Sequence, residues 1–397
     1  MTRSLVFLTT AQPAHTPHHE WIPWALEKAG WKVTAIAPAA DDSVLRKTLG
    51  ANRSLRALAR GGGFCSELRM FAALLESRFG AHSVIVVHSQ GLGCRAALAL
   101  AGPLFGKRLV YHNPDYYDPI KYPVRSRLEG HLARKADLFI SHEYHRGCIF
   151  RAQHRLRCPV LISPPNLPAS WPVPPRSEAL RREIVGPADD AFILRLHGGF
   201  NRLRITADLF RALALVPPRI HLVMTGGPAG EPEPEAAALA SSLGITGRVH
   251  TLPRLDFQSM LTYTASSDAG VLLYANSDLG NYFQSPGRLT EYLACGLPVL
   301  ASRFAGLESL VLRYRIGRCV EPGDPAGIAA GILALEAGVR SGAFSPASIR
   351  RRFETHFAYE HWEQRVVSAF ENLLREPKQQ QAPPPEYWFP EPPPTED

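Results

Sequence analysis

The sequence predicts an α/β protein made of two doubly wound parallel sheets in tandem, and three observations support this. Short, continuous apolar runs alternate with helical patterns along the chain, which is typical of parallel strands covered by helices on both faces. A proline-rich stretch from Ser163 to Pro175 interrupts the alternation and indicates a linker. The chain has 397 residues, of which 45% are hydrophobic, so two or three domains with their own cores are possible.

The apolar runs give the expected order of elements. Before the break, strands are predicted at Leu5–Thr9, Lys32–Ala37, Val84–His88, Leu109–His112, Leu138–Ile140 and Val160–Ile162. After it, they are predicted at Phe192–Leu196, His221–Thr225, Val249–Leu252, Gly270–Tyr274 and Pro298–Ala301. Helical patterns lie between them, for example at Trp21–Ala29 and Leu68–Phe79, and two more close the chain at Ala347–Phe357 and Tyr359–Arg375.

These elements divide the chain into five segments. Residues 1–165 and 190–346 form two Rossmann-like domains, joined by a proline-rich linker at 166–189 and followed by closing helices at 347–375. The final segment, 376–397, holds eight prolines among 22 residues and is expected to be disordered. A cleft between two such domains is the expected place for a ligand.

Composition narrows the class of protein. No apolar run approaches the ~18 residues that would span a bilayer, and the apolar stretch near the N-terminus is too short for a secretory signal, so a cytoplasmic protein is expected. None of the six cysteines forms a CxxC pair. Residues 1–170 hold 22 Lys and Arg against 11 Asp and Glu, which indicates an anionic partner such as a phosphate or a lipid surface. No nucleic-acid-binding module is found, so nucleic acid is not expected as a partner.

The most informative segment is NYFQSPGRLTEYLACGLPVLAS, residues 281–302. Ser285 suits the N-cap of a helix, Pro286 suits its first position, and Gly296 closes it. Gly287 permits close approach to the backbone of the first turn. The sequence therefore predicts a helix from about Pro286 to Cys295.

Arg288 falls at the third position of this helix, where a cation opposes the helix dipole. The placement becomes favourable if an anion binds there, held by the free N–H groups and the guanidinium together. Glu291 lies three residues on, on the same face. The alternative is a surface ion pair between Arg288 and Glu291 that binds nothing.

The segment resembles the donor-binding helix of GT-B glycosyltransferases, nearest to family four of that classification. The resemblance rests on Pro286, Arg288 in place of a lysine, Glu291, Tyr292, Ala294, Gly296, Pro298 and Val299. It implies two Rossmann-like domains that face each other across a cleft, with a C-terminal helix that packs back on the N-terminal domain. It also implies that residues 190–346 bind a nucleotide-diphosphate sugar and residues 1–165 bind the acceptor.

The resemblance assigns roles to residues of the C-terminal domain. Glu291 would bind the ribose hydroxyl groups, as a carboxylate can. Phe283 stands where many members carry a further Glu that contacts the donor sugar, so the donor sugar is left open. The loops after three strands would approach the nucleotide, with the candidate residues Gly198, Gly199, Arg202, Arg204 and Arg254. Transfer with retention, without metal or a bound cofactor, is what the family implies.

The candidate catalytic residues lie in the segment Tyr111–Asp118, at the end of a predicted strand: His112 is at the strand end, and Asp115 is three residues later. By the resemblance, His112 would lie beside the donor sugar, with Asp115 as the second candidate; either could also act as a base toward the acceptor. The alternative is that His112 is a hydrogen-bonded core residue. The first loop holds His15, His18 and His19 at a spacing that fits no zinc site.

Four questions stay open at this point. The acceptor is unknown, although the basic residues Lys121, Arg125, Arg127, Arg134 and Lys135 favour a phosphorylated lipid or an anionic membrane surface. An epimerase or phosphorylase of the same fold would also bind a nucleotide sugar, and a catalytically inactive scaffold would bind it without turnover. Ser89 lies in a segment similar to a hydrolase nucleophile elbow, but Val87 stands where that turn needs glycine.

Overall fold

A computed structural model describes residues 3–9, 21–38, 53–58, 69, 72–73, 76–77, 79–88, 106–187, 190–202, 205–227, 229–377, 382 and 385. The chain divides into two compact units. Unit 1 comprises Met1–Pro165, Asp278–Gly280 and Tyr359–Trp388; unit 2 comprises Asn166–Ser277, Asn281–Ala358 and Phe389–Asp397. The tail 376–397, predicted to be disordered, lies almost entirely outside the described residues.

Unit 1 is built on a seven-stranded parallel sheet with the order β3-β2-β1-β4-β5-β6-β7. Its strands are β1 Ser4–Thr9, β2 Lys32–Pro38, β3 Arg53–Leu58, β4 Val84–His88, β5 Arg108–Asn113, β6 Leu138–Ser141 and β7 Val160–Ile162. The register aligns Thr9 with His88 and His88 with His112. Polar side chains from three neighbouring strands therefore end at one edge of the sheet.

The helices of unit 1 that the structure describes over their whole length are Trp21–Lys28, Pro123–Ala133, Tyr144–His154 and Glu360–Arg375. The last of these packs on the first, as predicted: Lys28 Nζ lies 2.7 Å from Glu363 Oε2, and Trp31, just after the first helix, meets Phe370 edge to face at 5.9 Å. Trp31 is fully buried. The helix predicted at Leu68–Phe79 lies largely outside the described residues.

Unit 2 is built on a six-stranded parallel sheet with the order β10-β9-β8-β11-β12-β13. Its strands are β8 Phe192–Arg195, β9 Ile220–Thr225, β10 Val249–Leu252, β11 Ala269–Leu272, β12 Val299–Ser302 and β13 Gly317–Val320. Its α-helices are Glu178–Val185, Thr206–Ala214, Pro234–Ser242, Phe257–Ala265, Gly287–Ala294, Ala305–Arg313, Pro325–Arg340 and Pro346–Arg352. A short helix, Leu279–Tyr282, spans the boundary of the two units, a 3₁₀ turn covers Thr246–Arg248, and a π turn covers Phe353–Phe357.

The strand order of each sheet is that of a doubly wound fold, as predicted. Two strands were not predicted, β3 and β13, and each lies at the edge of its sheet. Among the described helices, none is both long enough and apolar enough to cross a bilayer. The described cysteines, at positions 148, 158, 295 and 319, are free.

Candidate functional site

The candidate site of unit 2 lies where β8 ends and the helix Gly287–Ala294, here called the site helix, begins. The buried strand β8 runs straight into His197, Gly198 and Gly199. The site helix packs against β11 and presents several polar residues to that strand end. A strand end and a helix start in one place are the usual setting for an anion site in α/β sheets.

The site helix begins one residue later than the sequence predicted. Pro286, not Ser285, is the N-cap, because its ψ of 135° is extended and leaves it outside the helix. Gly287 is then the first helical residue and Arg288 the second. Gly296 has a φ of +76° and ends the helix, as expected.

The backbone of His197 is held from both sides by the site helix. Its N–H donates to the hydroxyl of Tyr292 at 2.9 Å, and its carbonyl oxygen accepts from Nη1 of Arg288 at 3.0 Å. The guanidinium of Arg288 also lies over the ring of Tyr274, 5.6 Å from its centroid. Its other N–H groups make no hydrogen bond to a described residue, so Arg288 is oriented and still has donors for a ligand.

The ring of His197 joins two further elements of unit 2. Nδ1 lies 2.8 Å from Oε2 of Glu291, and Nε2 lies 2.7 Å from the hydroxyl of Thr264. Glu291 is buried and pairs with this histidine, not with Arg288, so the alternative of a surface ion pair is wrong. Burial raises the pKa of Glu291 to about 7, although the positive charges of Arg288 and Arg195 act to lower it.

Arg195, at the end of β8, is a charged residue in the interior of unit 2. Its side chain is fully enclosed and donates to the carbonyl oxygens of Leu196 and Val223. Among the described residues, no carboxylate lies within ion-pair distance of it, and burial lowers its pKa to about 10. Its positive charge acts on Glu291 through the protein interior, where water screens little.

Tyr292 fits behind the site because β11 carries a glycine. A Cβ on Gly270 would lie 2.3 Å from the Tyr292 ring, so no other residue leaves room for that ring. The Tyr292 hydroxyl is fully buried, and burial raises its pKa. The small residue in β11 thus permits the hydrogen bond that holds the His197 backbone.

The loop residues predicted to approach the nucleotide differ in where they lie. Gly198 has a φ of +133° and Gly199 packs tightly, since a Cβ there would lie 3.1 Å from the carbonyl oxygen of Thr225. Both glycines directly follow His197 and share its site. Arg202 and Arg254 are exposed on the loops after β8 and β10. Arg204 lies outside the described residues.

In unit 1, His112 lies at the end of β5 and is buried. Its Nε2 is 2.8 Å from Nε2 of His142, and its ring centroid is 4.6 Å from that of His88. His88 in turn pairs with the hydroxyl of Thr9 at 2.8 Å. The structure thus places His112 in a row of histidines along the carboxyl edge of the sheet.

The other candidates of unit 1 are less enclosed. Asp115 is exposed, and its N–H donates to the side chain of Asn113 at 3.2 Å. Ser89 and the three histidines of the first loop, at positions 15, 18 and 19, lie outside the described residues. Within the described part of the chain, no cluster of three or more His, Cys, Asp or Glu could hold a metal ion.

Sequence reasoning missed the residues behind the site. His197, Arg195 and Thr264 were not candidates for it, because they belong to no motif that the sequence analysis used. One signal was present: Arg195 and His197 are polar residues at the end of a continuous apolar strand, just before paired glycines. Polar residues at the carboxyl end of a buried parallel strand often serve a ligand.

Comparisons with known proteins find sequence likeness in unit 2. Residues 192–337, which include β8 and the whole site helix, match the family model of Glycosyl transferases group 1. A D-inositol 3-phosphate glycosyltransferase of Geodermatophilus obscurus is 30% identical over 204 residues. That match covers 47% of this chain and 44% of the relative, so the chain spans less than half of the relative's length.

Solved structures extend the likeness to both units. HepE of Anabaena, solved in complex with UDP, superposes with a TM-score of 0.70 and 17% identity, covering 94% of this chain and 100% of HepE. Sucrose-phosphate synthase from Thermosynechococcus elongatus gives a TM-score of 0.70 and 17% identity, covering 94% of this chain and 99% of that one. At this identity the likeness shows the fold.

Proposed function

Since the chain has the GT-B fold and carries the Glycosyl transferases group 1 domain in residues 192–337, we propose that it transfers a sugar from a nucleotide-diphosphate donor to an acceptor. One observation carries the proposal: Arg288 and Glu291, on one short helix, both reach the strand end at His197. A cation and a carboxylate side by side suit a ligand that has both phosphates and ribose hydroxyl groups.

Different residues of unit 2 hold different parts of the donor. Arg288 and the N–H group of Gly287 bind the diphosphate and stabilise its negative charge as it leaves, while the glycines at 198 and 199 let the backbone come close. Glu291 accepts hydrogen bonds from the ribose. These groups take the place of a metal ion as the stabiliser of the leaving group, so we propose that transfer proceeds without metal. Retention of the anomeric configuration is proposed on the family resemblance alone.

The acceptor we propose carries a phosphate group. The basic excess of residues 1–170 favours an anionic acceptor, and the relative from Geodermatophilus is named for an inositol phosphate. His112 acts at the sugar or at the acceptor hydroxyl, with Asp115 as the second candidate. An epimerase or phosphorylase reaction on the same fold would turn over the donor without an added acceptor alcohol.

Titration with UDP, GDP, ADP, dTDP and CMP tests the donor site. We expect one diphosphate to bind at micromolar concentration, and UDP is the first probe because HepE was solved with it. E291A removes the ribose partner and is expected to weaken binding about tenfold, as loss of a charge-assisted hydrogen bond does.

The matched control is E308A, because Glu308 is a helical glutamate of the same unit that lies outside the site and pairs with Arg303. E308A should bind the nucleotide like the wild-type chain. If no nucleotide bound, or E291A and E308A behaved alike, the glycosyltransferase proposal would lose its main support. Binding without turnover of any nucleotide sugar would instead favour an inactive scaffold.

Unit 1 also has a surface suited to an anionic membrane. Ile120 and Val124 are 92% and 67% exposed, and Tyr122 between them is exposed as well. The helix Pro123–Ala133 continues this patch, with basic residues exposed along it at Arg127, Arg134 and Lys135. Exposed apolar side chains flanked by cations are typical of a protein that rests on anionic lipid.

We expect the chain to bind vesicles that contain phosphatidylglycerol and to bind phosphatidylcholine vesicles much less, measured by co-sedimentation at low salt. I120D is expected to lower the bound fraction severalfold, because it places a charge where an apolar side chain enters the headgroup region. L215D is the control, since Leu215 is 61% exposed in unit 2. Equal binding to both vesicle types would contradict the proposal.

A further inference from the structure

The ring of His197 has a defined proton on one side. The hydroxyl of Thr264 donates its only hydrogen to the carbonyl oxygen of Met260 at 2.8 Å. With its hydrogen on that carbonyl, the hydroxyl oxygen accepts from the ring, which assigns a proton to Nε2 of His197, 2.7 Å away. When the ring is neutral, Nδ1 is then an acceptor, and it faces Glu291.

One proton is needed between His197 and Glu291. Nδ1 and Oε2 are 2.8 Å apart, so either a protonated Glu291 donates to the neutral ring, or a cationic ring donates to the carboxylate. Both forms hold the same proton. Without it, the lone pairs of a carboxylate and a neutral ring face each other at hydrogen-bond distance and repel.

We propose that His197 is a positioning residue that shares one proton with Glu291, and that the nucleoside diphosphate binds only to this protonated pair. The inference rests on the proposed function, in which Glu291 accepts the ribose hydroxyl groups. The shared proton keeps Oε2 on His197 and presents Oε1, which no described residue contacts by a hydrogen bond.

The surroundings of the pair favour a bound anion. The charged and titratable groups coupled to Glu291 are Arg288, Tyr292, Cys295 and Arg195. Tyr263, on the helix Phe257–Ala265, acts on Arg195. Arg350, from the helix Pro346–Arg352, donates to the Ala294 carbonyl at the far end of the site helix. A diphosphate beside Arg288 adds negative charge, which helps the pair retain its proton.

The test is the dissociation constant as a function of pH for the full chain, with whichever of UDP, GDP, ADP and dTDP binds most tightly at pH 6. Because the pair must hold a proton, binding should weaken by up to tenfold per pH unit once pH exceeds the pKa of the pair. Burial places the pKa of Glu291 at about 7, so the window is pH 7 to 9. The terminal phosphate, with a second pKa of about 6, is already ionised there.

Two variants give the carboxylate of Glu291 a donor without the shared proton and leave the rest of the site in place. T264V removes the oxygen that accepts from Nε2, so a neutral ring is free to carry its proton on Nδ1 and donate to the carboxylate. H197N places a carboxamide N–H where Nδ1 was, as a donor that does not titrate. Both variants should bind the nucleotide with less than about threefold change from pH 7 to 9, against roughly 50-fold for the wild-type chain.

Each outcome separates the two proposals. Affinity that rises with pH, or a wild-type profile no steeper than those of T264V and H197N, would overturn the shared proton while leaving the donor site intact. A steep profile in all three chains would overturn it too, since the variants lack its cause. No binding by any nucleotide at pH 6 would overturn the proposed function, and this inference with it.

Discussion

Replacing Arg288 by alanine is expected to weaken binding of the nucleoside diphosphate by about 10- to 100-fold. The structure orients this guanidinium through the His197 carbonyl and the Tyr274 ring, and its remaining donors are available for phosphate oxygens. Hydrogen bonds to a charged partner contribute about 1.5–3 kcal/mol each. Isothermal titration with UDP, GDP, ADP and dTDP measures the loss.

R313A is the matched control for R288A. Arg313 also lies over a tyrosine ring, 5.9 Å from the centroid of Tyr314, but on another helix of the same unit. It should leave nucleotide binding unchanged and show what the loss of one stacked arginine does to stability. R288K keeps the charge but not the fork of donors, and should bind with intermediate affinity. R288A binding like R313A would refute the role given to Arg288.

The variant H112A is expected to lower kcat about 100-fold and to change the KM for the donor little. A positioned acid, base or electrostatic partner contributes about 10² to 10⁴ in rate, and His112 lies at the end of β5, where the family resemblance places such a group. The measurement is transfer from the nucleotide sugar identified by titration, with thermal unfolding of each variant recorded alongside.

H142A separates catalysis from packing. It removes the same 2.8 Å hydrogen bond from the other side and leaves His112 in place. We expect H142A to lose less activity than H112A, because only His112 acts at the reacting groups. Equal losses in the two variants would mean that His112 serves the buried histidine row alone.

Eleven of the thirteen described strands could be predicted from the sequence, including the edge strands β7 and β10, and the edge strands β3 and β13 could not. Strand β4, VIVVH, is buried on both faces and therefore reads as a continuous apolar run. Strand β3, RSLRAL, has arginines at positions 53 and 56, and β13, GRCV, is four residues long; each pairs on one side only. An edge strand needs fewer apolar residues, so the sequences of β3 and β13 lack the continuous apolar run that predicts a strand.

The site was predictable where one helix carries the chemistry. Arg288 and Glu291 stand three residues apart, so the helical period alone places them together. His197 is far from them in the chain and reaches Glu291 only because of the order of the sheet, and Thr264 contacts the other side of the His197 ring. The start of the site helix was off by one residue because proline satisfies both the N-cap and the first helical position with nearly the same φ.

The discontinuity of unit 1 has a consequence for folding during synthesis. The helix Glu360–Arg375, which belongs to this unit, follows every strand of both sheets along the chain and is made after them. Until it leaves the ribosome, Trp31 lacks its Phe370 partner and the apolar face of the helix Trp21–Lys28 stays open to water. The continuous stretch of unit 2 from 166 to 277 carries the neighbouring strands β8 to β11, which can pair earlier, so the first part of the chain is expected to reach its final form after these four strands.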